Sequence, residues 1–222
     1  EVAEDVSRDF DRYWASGSSY PFFSIAPRAD AEKGRLKLHR SRRDDAEIRA
    51  SYLDELAASP LAAAISEGNV PWQYADARLI SDDPAKGLAR DKELPAIADS
   101  LLEALGKPEK DVFIVSPYFV PSKWGMAALR DLTANNVKVT VLTNSLRATD
   151  VAAVHSGYAR YRKDLLNAGV ELYEVKPDFA PPKIRDKGLT GSSATSLHAK
   201  TFVVDGKRVF IGSLNFDPRS AR

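Results

Sequence analysis

The chain has 222 residues, 44% of them hydrophobic and 28% charged, a soluble globular composition sufficient for one large domain or for one domain with a helical extension. Lys and Arg total 32 against 31 Asp and Glu, a formal net charge of +1, so bulk charge gives no argument for a nucleic-acid partner. There is no cysteine and there are only three histidines, which excludes a disulfide framework, a thiolate metal site and a cysteine nucleophile. His39, His155 and His198 show no short ligand spacing, and no metal is assigned.

Val6, Phe10, Tyr13 and Trp14 recur at helical spacing and predict an amphipathic helix over Val2 to Ala15, stopped by Gly17 and Pro21. Residues 22–37 read as irregular. A second helix is expected over about Asp44 to Ala58, with a short further helix from Leu61 to Ile65 after Pro60 and a turn at Gly68-Asn69. The basic run of Arg28, Lys33, Arg35, Lys37, Arg40, Arg42 and Arg43 reads first as a solvated face, with anionic lipid headgroups as the sharper alternative. From Trp72 onward strands and helices alternate. Strands are expected at Trp72 to Ile80, Val112 to Val115, Val137 to Leu142 and Val170 to Val175, then a pair at Leu197 to Val204 and Arg208 to Ile211 with a turn at Asp205-Gly206. Helices are expected at Leu94 to Leu105, Lys123 to Ala134 and Ala152 to Asn167, the last stopped by Gly169. Pro177 to Ser193 reads as a mobile loop. This alternation implies an α/β domain over residues 71–222, a mixed β-sheet flanked by helices on both faces, preceded by a helical segment over residues 1–70.

No apolar stretch exceeds strand length, so none spans a bilayer. The chain opens on Glu-Val-Ala-Glu and stops at Arg222 just after a motif. It is therefore expected to be a piece of a longer protein, and the absence of a targeting signal carries no message.

The chemistry is concentrated in Leu197-His198-Ala199-Lys200 through Asp205, followed by Gly212-Ser213-Leu214-Asn215. Strand residues two apart share a face, so His198 and Lys200 are expected to project together. Gly212-Ser213 lets the chain turn sharply and bring Asn215 toward them. An imidazole can attack phosphorus or move a proton to and from an alkoxide. Ammonium and amide donors can hold phosphoryl oxygens as charge builds on them. The bland alternative is a β-hairpin with an incidental histidine and lysine.

H-x-K-x4-D followed by G-S-x-N resembles the signature of the phospholipase D superfamily, matched at His198, Lys200, Asp205, Gly212, Ser213 and Asn215. Ser116-Pro117-Tyr118-Phe119-Val120-Pro121, Thr143-Asn144-Ser145-Leu146, Ser81 to Lys86 and the helix opening at His155 look like the second catalytic lobe of bacterial cardiolipin synthases and related phosphatidyltransferases. The opening Val6 to Trp14 resembles the helix that follows the first catalytic motif in those proteins. The resemblance covers nearly the whole chain. It implies transfer of a phosphatidyl group through a phosphohistidine, with one such motif on each of two lobes and no metal or cofactor. It also implies a phospholipid substrate, a first lobe in the same chain and a peripheral place on the bacterial inner membrane. His198 would be the acid/base, and Lys200 and Asn215 would hold the phosphoryl oxygens. Only one motif is present, since His39 is followed by Arg40, Ser41 and Arg42. A hydrolase or nuclease of the same superfamily, or a non-catalytic lobe binding phosphate or membrane, remains as the alternative, with near-neutral charge against the nuclease.

Other candidates have two readings each. Asp205, which precedes Gly206 in a common turn pairing, reads as architectural rather than a proton carrier, and the resemblance implies that it braces the motif. Ser213 fits donation to phosphate or to nearby backbone. Tyr118 and Phe119 follow a strand end, where they either pack or line a rim for acyl chains or glycerol. His155 is either a partly exposed helix residue or a headgroup contact. Asp82-Asp83 resembles a carboxylate pair for a metal, but the adjoining Pro84 favours a turn.

Overall fold

The structure is a computed structural model that describes residues 2–25, 33–34, 53–54, 56–88, 97–176 and 196–218. Its contacts divide the chain into two units, Glu1–Leu94 and Pro95–Arg222. The loop expected over 177–193 and the basic run apart from Lys33 lie outside the described residues.

In the first unit, α1 (Val2–Trp14) is the expected amphipathic helix, with Glu4 and Asp5 in its first turn and Arg12 in its last, as the helix dipole favours. Arg12 donates to Ser81 Oγ at 2.8 Å and to the Asp82 carbonyl at 3.0 Å, and the Tyr13 hydroxyl donates to the same carbonyl. A short turn of helix, α2, spans Phe22–Ile25. Of the helix expected over residues 44–58, only the tail is described, and its residues 53–54 and 56–57 are helical. Helix α3 (Pro60–Ser66) starts where Ser59 Oγ accepts from the Ala62 amide at 3.1 Å, with proline in its first turn.

The strand expected over Trp72 to Ile80 is not formed: these residues have no regular secondary structure. Apolar periodicity makes a strand only where a partner supplies the ladder, and here Trp72 and Tyr74 are 73% and 95% exposed. A 3-10 turn at Pro84–Leu88 follows. The carboxylates before it are used locally. Asp83 accepts from the Ala85 amide at 2.8 Å, and Asp82 is paired with Lys86.

The second unit holds α4 (Ile97–Leu105), β1 (Asp111–Val115), α5 (Ser122–Ala134), β2 (Lys138–Asn144), α6 (Ala152–Asn167), β3 (Glu171–Val175), β4 (Thr201–Val204) and β5 (Arg208–Ile211). They form a mixed five-stranded sheet in the order β3-β2-β1-β4-β5, the α/β architecture that the alternation implied. The β1-α5-β2-α6-β3 run gives parallel neighbours, because a helical crossover returns the chain in the same direction. Strands β4 and β5 then add antiparallel on the other side of β1.

The core joins Val112, Ile114, Val139, Val141, Phe202 and Val204 of the sheet with Met126, Leu129, Tyr158 and Leu165 of the helices. The alternation is visible within β1, where Phe113 between two buried neighbours is 38% exposed. Gly169, at φ +84°, ends α6 in the left-handed conformation expected of a helix stop. Leu165 is fully buried, at 0% exposure. Leu165→Ala is therefore expected to destabilise the chain by about 2–5 kcal/mol, read as a shift in the urea midpoint.

Chain direction positions everything that follows. Thr201 at the start of β4 pairs with Val115 at the end of β1, and Ile211 at the end of β5 pairs with Thr201. The segment entering β4 and the segment leaving β5 therefore both lie at the carboxyl ends of the parallel strands β1 and β2, where open α/β sheets place their ligands.

Candidate active site

These two segments are the limbs of the motif. The expected strand begins only at Thr201, so His198 and Lys200 precede β4 rather than sit on it. The Gly212 amide nevertheless donates to the Lys200 carbonyl at 3.2 Å, tying the limbs together just beyond the β4–β5 ladder. His198 is exposed, whereas Lys200 is only 8% exposed. The Lys200 ammonium turns back to donate to the His198 carbonyl at 2.8 Å. The lysine thus holds the backbone that carries the imidazole, a relation that strand alternation did not supply.

On the other limb, Ser213 is exposed and Asn215 is half-buried. The Asn215 Oδ1 is buried without a hydrogen-bond partner among the described residues. A Cβ on Gly212 would lie 2.6 Å from the Phe210 ring, so the chain passes too close to that ring for a side chain unless the ring shifts. Phe216 fixes the limb just after Asn215. Its ring stacks on Phe119 at 5.0 Å and meets Phe202 at 6.2 Å, and its carbonyl accepts from the Val120 amide at 2.7 Å.

Two contacts come from strand ends that sequence reasoning left without a role. Asn144, the last residue of β2 and 2% exposed, accepts from the Leu197 amide at 2.9 Å and donates to the Leu197 carbonyl at 3.1 Å. Ser116, which follows β1 and is 0% exposed, accepts from the Phe216 amide at 3.1 Å and donates to the Tyr118 carbonyl at 3.0 Å. A buried polar residue closing an apolar strand was the available signal, because such groups are retained where they have partners.

Asp205 lies at the opposite end of the sheet. Its neighbour Val204 pairs with Val112, near the start of β1. Asp205 and Gly206, at φ +55° and +61°, form the tight turn that Asp-Gly signals. The carboxylate accepts from the amides of Lys110 at 2.7 Å and of Asp111 and Glu109 at 3.1 Å each. The Lys110 amide above all, then those of Asp111 and Glu109 and the charge of Arg208, hold the Asp205 carboxyl below its ordinary value.

A depressed carboxylate adds stability that is present above the unfolded value of about 3.9 and is lost as pH falls through the folded value. Asp205→Asn is thus expected to lower the urea midpoint at neutral pH. Its deficit against the wild type should narrow once the pH drops below about 4, as a pH series of unfolding curves would record.

The rim candidates separate. Phe119, 1% exposed, is a core residue packed on Phe216 and edge-on to Tyr158 at 6.1 Å. Tyr118 is half-buried, with its hydroxyl donating to both oxygens of Asp150 at 2.8 Å. His155 is 8% exposed and lies edge-on to Tyr158. Its Nε2 accepts from Arg162 at 3.1 Å, which places the ring proton on Nδ1, a buried atom with no partner among the described residues. Arg162 also pairs with Glu174 at 3.0 Å, and Glu174 accepts from the Tyr158 hydroxyl at 3.1 Å. Burial first, and then the Glu174 charge, push that phenol up to about 12.

Comparison with known proteins identifies the family. The family model described as cardiolipin synthase, PLD-like domain, matches residues 101–222. Over 99% of its length the chain is 46% identical to cardiolipin synthase C of Escherichia coli (strain K12), covering 46% of that protein. Over 99% of its length it is also 31% identical to an uncharacterized protein of Helicobacter pylori (strain ATCC 700392 / 26695), covering 43% of it. Cardiolipin synthase A of Pseudomonas putida is 30% identical over 69% of the chain and 27% of its own length. The chain thus spans less than half the length of these relatives. The family match takes in every strand from β1 to β5 and both limbs of the motif, and the chain belongs to the family of cardiolipin synthase, phospholipase-D-like domains.

Proposed function

We propose that the chain supplies the second half of a phosphatidyl-transfer site of the cardiolipin synthase type, with a first phospholipase-D-like lobe of the same polypeptide supplying the other half. One observation carries this reading. The H-x-K and G-S-x-N limbs meet at the carboxyl ends of β1 and β2, joined by the Gly212–Lys200 bond, with His198 exposed.

The reaction divides into two displacements. A histidine of the other lobe attacks the phosphorus of a glycerophospholipid, the bond from phosphorus to the headgroup oxygen breaks, and His198 protonates that oxygen. A phosphatidylglycerol hydroxyl then gives its proton to His198 and attacks the phosphohistidine, which forms cardiolipin and frees the first histidine. Lys200 and Asn215 hold the phosphoryl oxygens through both steps, with Ser213 and the close turn at Gly212 beside them. Asp205 braces the far turn. No metal takes part in this chemistry. Among the described residues no helix is long and apolar enough to cross a membrane. On this reading the lobe works peripherally at the inner membrane of a bacterium, where its phospholipid substrate lies.

The test supplies the full-length protein with mixed glycerophospholipid vesicles containing labelled phosphatidylglycerol. Labelled cardiolipin is the expected product. Phosphatidic acid in its place would assign the same site to hydrolysis, and no turnover of lipid would reject the reading.

A further inference from the structure

The residues that do the chemistry stand on irregular backbone. His198 precedes β4 and Asn215 follows β5, so neither is fixed by the sheet's own ladder. Each adjoins a residue whose main chain is bonded by a buried side chain at, or just past, the end of a neighbouring strand. Asn144 meets both backbone groups of Leu197, the residue before His198, at 2.9 and 3.1 Å. Its Nδ2 also reaches Ser196 Oγ at 3.4 Å and the Pro117 carbonyl at 3.5 Å. Ser116 accepts from the amide of Phe216, the residue after Asn215. The two clamps sit side by side, because the ladder of β1 and β2 continues as the Ser116 amide donates to the Leu142 carbonyl at 3.1 Å.

We propose that Ser116 and Asn144 are positioning residues which, through Phe216 and Leu197, set the placement of Asn215 against His198. The inference rests on the phosphatidyl-transfer reading and adds to it a pair of residues outside the motif. Two adjacent parallel strands hold one limb each, so the spacing of the strands is passed to the spacing of the limbs. Each clamp uses groups that would otherwise be buried and unpaired, which makes slippage of either limb costly. Transfer depends steeply on such placement. A misplacement of about 1 Å by a change away from the reacting atoms costs up to about a hundredfold in rate.

The test uses the full-length protein with Ser116→Ala and Asn144→Leu, the second being close in volume but unable to hydrogen-bond. Active sites are titrated by the burst from a phosphatidyl ester with a good leaving group, and cardiolipin formation is then measured per site. Each variant is expected to lose roughly ten- to a hundredfold in kcat, with KM and the burst amplitude close to wild type. Wild-type kcat per site in both variants would overturn the proposal. So would a loss that lies wholly in the amplitude, since that means fewer folded sites rather than misplaced ones.

Failure of the functional reading would appear separately, as a wild-type protein that transfers no phosphatidyl group. The clamps are then judged by amide hydrogen exchange. The Leu197 amide should lose protection in Asn144→Leu, and the Phe216 amide in Ser116→Ala, with β1 and β2 still protected. Unchanged exchange at both amides would overturn the proposal in that case.

Discussion

His198→Ala in the full-length protein is expected to lower phosphatidyl transfer by about a hundred- to ten-thousandfold, the span typical of a lost proton-transfer group. Stability should hardly change. The His198 side chain is exposed, and the Lys200 ammonium bonds to the His198 carbonyl, which alanine retains. Exposed positions of this kind usually shift stability by no more than about 0.5 kcal/mol. Initial rates of cardiolipin formation, paired with thermal unfolding, separate the two effects. Full activity in the variant would remove His198 from the chemistry, and loss of activity together with loss of the fold would leave no case for a proton-transfer role.

Lys200 is assigned two duties, and removal of its ammonium takes away both. On the proposed reading its ammonium meets a phosphoryl oxygen, and in the structure it donates to the His198 carbonyl at 2.8 Å from a residue only 8% exposed. Lys200→Met keeps most of the apolar stem and removes the charge. It is expected to cost about a hundredfold or more in kcat/KM, as the loss of a preorganised donor does. Asn215→Ala removes the amide donor on the other limb and is expected to cost a similar factor, about a hundredfold. Lys200→Arg should not restore the rate, because a planar fork is a different donor from a compact ammonium. Steady-state kinetics of the three variants on one vesicle preparation checks these values.

The sequence made most of the second unit legible, and particular residues explain where it did not. Gly169, Asp205-Gly206 and the apolar runs around Val112 and Val139 carry local conformational rules, and the structure places a helix end, a hairpin turn and two parallel strands there. Trp72 to Ile80 carries an apolar pattern without a ladder partner, and no strand forms. The motif was readable as a resemblance because its spacing lies in two short stretches of sequence, His198 to Asp205 and Gly212 to Asn215.

The support of the motif was less readable. Asn144 and Ser116 lie 53 and 100 positions from Leu197 and Phe216, separations that no local pattern links. Phe119 left packing and a rim role both open because it follows a strand end, and the Phe216 ring that stacks on it, next to Asn215, makes it a core residue. Lys200 and His198 were expected to project together from one face of a strand. They meet instead through a bond from side chain to main chain, which alternation cannot foresee.

The most direct measurement uses the full-length protein with a phosphatidyl ester of p-nitrophenol, whose leaving group needs no proton from the enzyme. The wild type should release nitrophenolate through repeated turnovers. If His198 is the acid and base of a two-step transfer, His198→Ala should still release a burst of nitrophenolate as the phosphohistidine forms on the other lobe. It should then stall, because nothing deprotonates the incoming alcohol. A variant that releases no nitrophenolate at all would contradict this role and make His198 the nucleophile. A variant that turns over like the wild type would take His198 out of the reaction altogether.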